Sequence, residues 1–171
     1  MMQAMRQSPE KEDESMGTNA ELYEQDFFAW TQTTAALIRA SKWYDIAPEA
    51  LAEEVESLGK SQQNALESRL EKLVLHLLKW RYQPEKRERS HSWQRTILEQ
   101  RWRLSRLLNQ NPSLRWALPT VLAESYAYIR RLTSLETRLS LTTFPDACPW
   151  TLAQILDDYF WPEEASPQDP R

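Results

Sequence analysis

The side chains most able to do chemistry together are Gln62, Arg69 and His76, which recur every seven residues in one strongly helical stretch. Seven residues are almost two full helical turns, so the three form a polar column along one side of that helix. Leucines flank them, which places the column inside or beside an apolar sector. Buried polar groups need partners, and Asp26, Glu124 and Glu136 are the carboxylates on other segments that could supply them. We read the column first as a network that fixes helix register. The second reading is a pocket for a small molecule or a proton.

Other chemistries lack their parts. Helical di-metal sites use paired Glu-x-x-His strings and several inward carboxylates. One such string occurs, Glu88-Arg89-Ser90-His91, in a polar connection, and His76 has no carboxylate at the matching offset. Glu53 and Glu56 belong to the outer face of their helix, so no metal is expected. Cys148 stands between Ala147 and Pro149 with neither histidine near in sequence, so nothing argues for an activated thiolate. Two glycines, Gly17 and Gly59, cannot build a phosphate-binding loop. No catalytic residue and no cofactor is assigned.

Positive charge is concentrated. Residues 79–106 carry 9 basic and 3 acidic side chains, a net of +6. Residues 1–78 carry 7 basic and 14 acidic, a net of −7, and residues 107–171 carry 5 and 8, a net of −3. Within the basic segment Lys79, Arg81, Lys86, Arg87, Arg89, Arg95, Arg103 and Arg106 lie among Trp80, Tyr82, Trp93 and Trp102. Cations for phosphates and aromatics for bases are the ingredients of a nucleic-acid surface. The same charge could instead face the acidic half of this chain, a second subunit or another acidic partner.

The elements that must position these residues are helices. Glycine is scarce, β-branched runs are few, and Ala, Leu, Glu, Arg and Gln dominate. The expected fold is an all-α bundle of four main helices plus a short C-terminal one, in a single domain over residues 20–161. Residues 1–19 read as a disordered arm, with the true start codon open among several methionines, and 162–171 as a disordered tail. The first helix is expected from Ala20 to Ser41, with Asn19 as its cap and Tyr23, Phe27, Trp30, Thr34 and Leu37 buried.

The second helix starts near Pro48, and its apolar face is Leu51, Val55, Leu58, Ala65, Leu66, Leu70, Leu73, Leu77 and Trp80. That face keeps its phase through Gly59, which favours one helix to about Tyr82, straight or kinked at Gly59, over two. At ~1.5 Å per residue it would be roughly 50 Å long, which hints at an oligomer. Pro84 stops it. A third helix, Trp93 to Asn109, has Trp93, Ile97, Gln100, Arg101, Leu104, Leu107 and Leu108 inward. A fourth carries Leu114, Leu118, Val121, Leu122, Ser125, Tyr128, Ile129, Leu132 and Leu135, with Pro119 kinking it or marking its first turn. Thr151 and Gln154 match a capping box for a last helix over residues 152–159. One cysteine, no signal-peptide core and no long apolar run suggest a cytoplasmic protein that does not enter a membrane.

Several segments taken together resemble a bacterial family called domain of unknown function 29. They are YEQDFFAW at 23–30, LAEEVESLGKS at 51–61, RLEKLVLHLLKWRYQPEKR at 69–87, SWQRTILEQR at 92–101, NPSL at 111–114 and FPDACPWTLAQILDDYFWP at 144–162. The resemblance implies an all-helical protein and brings no catalytic residues with it. The expected role is a non-enzymatic module that self-associates or binds another protein, the alternative being a nucleic-acid-binding regulator using residues 79–106.

Overall fold

A computed structural model describes residues 18–87 and 91–163. Among them the chain is all-helical and contains no strand. By packing it divides into two compact units, one up to Ser57 and one from Leu58 onward. The arm and tail expected at the termini lie mostly outside the described residues. Thr18 and Asn19 do not belong to an arm, since they open the first helix, and Pro162 is buried.

In the first unit the single helix expected over residues 20–41 is two, α1 (Asn19–Gln25) and α2 (Phe27–Arg39). Asp26 breaks it. Its backbone is extended, φ −148° and ψ 88°, so it closes α1 and caps α2, its carboxylate accepting from the Ala29 N–H at 2.9 Å. An acidic side chain at a helix start satisfies a donor the helix leaves open, and here that local bond outweighs helical continuity. Thr18, rather than Asn19, caps α1 in a reciprocal box with Glu21.

Asn19 is put to another use. Its Oδ1 accepts from Trp30 Nε1 at 3.1 Å and from the Ala47 N–H at 3.0 Å, while its Nδ2 donates to Thr34 Oγ1 at 2.9 Å. One amide thus ties α1, α2 and the following connection. Trp30 and Thr34 are buried as expected, whereas Phe27 is exposed.

Helix α3 (Pro48–Tyr82) runs 35 residues without interruption, through Gly59, whose missing side chain faces open space. Leu51 is partly buried, but Val55 and Leu58, expected on the inner face, are exposed. Burial begins at Leu66 and continues through Leu70, Leu73, Leu77 and Leu78, the spine of the second unit. A short helix, α4 (Pro84–Arg87), follows, and then α5 (His91–Gln110), α6 (Leu118–Thr137) and α7 (Leu152–Leu156). Pro119 lies in the first turn of α6, where its missing N–H costs nothing.

The buried face of α5 is Trp93, Ile97, Gln100, Arg101, Leu104, Leu107 and Leu108, as its spacing predicts. Helix α6 departs from its pattern. It buries Leu118, Ser125, Tyr126, Ile129, Thr133 and Thr137 and leaves Tyr128 and Leu135 outside. Thr133 and Thr137 tolerate burial because each hydroxyl donates to the carbonyl four residues earlier, at 2.8 and 2.7 Å.

The capping box at Thr151 and Gln154 is present, but α7 ends three residues before Tyr159. Arg101 explains the early stop. Its guanidinium donates to the carbonyls of Ile155 at 2.9 Å, Asp158 at 3.5 Å and Phe160 at 2.7 Å. The Ile155 carbonyl that a continuing helix would give to residue 159 is already engaged, and the Tyr159 N–H donates to the Asp157 carboxylate instead.

Candidate functional site

Helix α3 carries the polar column, and the structure divides it. Gln62 is exposed, outside the apolar seam where it is expected. Arg69 and His76 are both partly buried, but they line different grooves. His76 opens towards α6 and Arg69 towards α5. A helix seen from two neighbours has two seams, and a seven-residue repeat drifts about 20° per step, which is enough to move between them.

The α6-side groove holds about 270 Å³ between Ser68, Glu71, Lys72 and His76 on α3 and Tyr128, Leu132 and Glu136 on α6. His76 Nδ1 lies 2.8 Å from the Lys72 carbonyl. A carbonyl only accepts, so Nδ1 carries the hydrogen and Nε2 is left as the acceptor. Burial holds His76 below the ordinary histidine range; Lys79 and Lys72 push the same way, against the hydrogen bond and Glu136. Burial also raises the Glu71 carboxyl, with help from Glu67. Of the expected partner carboxylates, Glu136 does line this groove, although its ion pair, at 2.9 Å, is with Lys79. Asp26 is occupied as the α2 cap.

The α5-side groove holds about 340 Å³ and is lined by Ser68, Arg69 and Lys72 from α3 and by Glu99, Gln100 and Arg103 from α5. Arg69 Nε is buried with no partner among the described residues. Arg103 donates from Nε to Glu99 Oε1 at 2.8 Å and its Nη2 is as close, so Glu99 holds that side chain in place. The sequence pointed to Arg69 and Arg103 but missed Ser68, Lys72 and Gln100. The signal for Gln100 was its place on the inward face of α5; for Lys72 it was the three-residue step from Arg69.

The basic segment is partly consumed by the fold. Lys79 pairs with Glu136 and lies 4.9 Å from the Trp93 ring centre. Arg87 donates from Nε to the Trp80 carbonyl at 2.6 Å and stacks over the Trp80 ring, and Arg81 sits over Tyr82. Lys86, Arg95, Arg103 and Arg106 are exposed, and Arg89 lies outside the described residues. On the outer face of α5, Trp102 is 58% exposed, with the Arg106 guanidinium 5.7 Å from its ring centre. Trp80 and Trp93 look inward.

Cys148 is partly buried, and burial pushes its thiol up, away from thiolate character. Among the described residues no group of three or more His, Cys, Asp or Glu could hold a metal ion, and no helix is long and apolar enough to cross a membrane. A family model described as "Domain of unknown function DUF29" matches residues 22–161. No curated protein and no solved structure gives a significant match.

Proposed function

This chain belongs to the DUF29 family, and from that premise we propose that it is a non-enzymatic protein-interaction module that self-associates. The reading rests on one observation. Tyr128 and Leu135, spaced to share a helix face, are 56% and 76% exposed on α6, beside the partly buried Leu132. Burying a large apolar side chain is worth ~1.5–3 kcal/mol, so a paired surface has a driving force that the lone chain leaves unused.

The flanking charges suit a second copy. Glu124 and Arg138, both exposed, lie at opposite ends of this stripe. Two copies of α6 packed antiparallel about a two-fold axis would set each Glu124 near the other copy's Arg138. Arg131, between them, has a stem long enough to keep its charge at the edge. Sedimentation velocity tests the reading: the wild-type chain should sediment as a dimer, and Tyr128→Glu with Leu135→Glu as a folded monomer. A wild-type monomer up to the solubility limit would defeat it.

A second reading, binding of single-stranded nucleic acid, is favoured by the exposed Trp102 beside Arg106, with Arg95 on the same face of α5. Anisotropy of labelled oligonucleotides, titrated at several salt concentrations, tests it. A binder shows a salt-dependent affinity that Trp102→Ala weakens; stacking of one base contributes ~1–3 kcal/mol. Salt-independent signals, or none, leave the face without that role.

A further inference from the structure

We propose that the groove between α3 and α5 binds a small phosphate dianion, as inorganic phosphate or a phosphate monoester. Four features support this, independently of self-association.

Charge comes first. Arg69, Lys72 and Arg103 bring three positive charges to the groove and Glu99 one negative, a net of +2. That matches a phosphate monoester, which carries about −1.5 to −2 at neutral pH. A carboxylate or nitrate would leave a charge unanswered.

The donors come next. Gln100 is only 5% exposed and its amide side chain lines the groove. Arg69 lines it too, and its guanidinium Nε has no partner among the described residues. Ser68 adds a hydroxyl and Lys72 an ammonium that reaches the groove from its exposed position. Guanidinium, ammonium, amide and hydroxyl are all donors able to serve the several acceptor oxygens of a phosphate.

The third feature is preorganisation. The Glu99 carboxylate is taken up by Arg103, with both contacts at 2.8 Å. It positions that guanidinium and does not face the groove as a free anion. The fourth is size. A volume of about 340 Å³ lies at the low end for ligand pockets, which suits a phosphate and a small substituent better than a nucleotide.

The same groove has a different character from its neighbour on the α6 side, where His76, Glu71 and Glu136 bring two carboxylates and a histidine held below its ordinary range. That groove does not attract a dianion. The two lie on either side of α3 and share Ser68 and Lys72, so a titration that reports on both separates them.

The test is a nitrogen–proton NMR titration of the intact chain with inorganic phosphate, glycerol phosphate and nitrate at constant ionic strength. The expected result is a saturable shift of the Arg69 Nε–H and Gln100 side-chain signals with phosphate or its ester and none with nitrate. Lys72→Gln should weaken binding by about ten-fold or more, since each charged hydrogen bond contributes on that scale. Gln100→Leu, which keeps the side chain's size, should weaken it as well, and the tighter of the two phosphates identifies the natural form. Non-saturating shifts spread over all exposed lysines and arginines would overturn the proposal. So would unchanged affinity in Lys72→Gln, a surface substitution that leaves the fold intact.

Discussion

Helices α5 and α6 are both 20 residues long and both pack on α3, yet one follows its hydrophobic pattern and the other does not. Every inward position that spacing assigns to α5 is buried, including two polar ones, Gln100 and Arg101. On α6 the leucine and tyrosine at positions 135 and 128 stay outside while Thr133 and Thr137 go in. The difference is one of contrast. Away from its apolar side α5 is densely charged, so only one orientation is favourable. Helix α6 has apolar residues around most of its circumference, and threonines that satisfy their own hydroxyls compete with leucine for the core.

The largest test of that contrast is Arg101→Ala. The side chain is 1% exposed and holds three carbonyls of the C-terminal segment. Leaving them unpaired should cost on the order of 3–5 kcal/mol in chemical denaturation. If the loss is no more than that of an exposed arginine such as Arg95, α5 is held by its leucines alone. On α6, Ile129→Ala should cost about 2–5 kcal/mol, as truncations of fully buried aliphatics do. Tyr126→Phe is smaller, about 1 kcal/mol, because it removes only the hydroxyl that donates to the Pro145 carbonyl at 3.1 Å.

The grooves sharpen the comparison further. His76 titrates below its ordinary value in the folded chain, so the unfolded chain binds the extra proton first as pH falls. Stability should therefore be full above about pH 6.5 and decline as pH falls from there towards the folded value. A urea-melt series across that window should show the decline, and His76→Gln should flatten it. Smallest of all, Leu135→Ala measured on dilute, monomeric chain should change stability by no more than about 0.5 kcal/mol. A larger loss would mean that Leu135 is part of the core after all.

Much of the second unit was legible in the sequence. Helix α3 passes Gly59 unbroken, the α5 face reads directly, and the Thr151 box marks the start of α7. What could not be read depends on choices among comparable local bonds. Asp26 is as suitable for a helix turn as for a cap, and only its bond to Ala29 decides. Asn19 looks like a cap and becomes a cross-link. The column is divided for a geometric reason: seven-residue spacing places Arg69 and His76 on nearly the same side, but sequence does not say where the boundary between two neighbouring helices falls. Gln62 lies before the buried stretch of α3 starts and is exposed.

The Trp80 and Trp161 rings, 4.6 Å apart, join the helical spine to the last described turn of the chain. Two indoles that close couple their electronic transitions, so the pair is a built-in optical gauge in the near ultraviolet. Its circular-dichroism signal rises or vanishes with the seating of the C-terminal segment, and that seating can be followed without attaching any label.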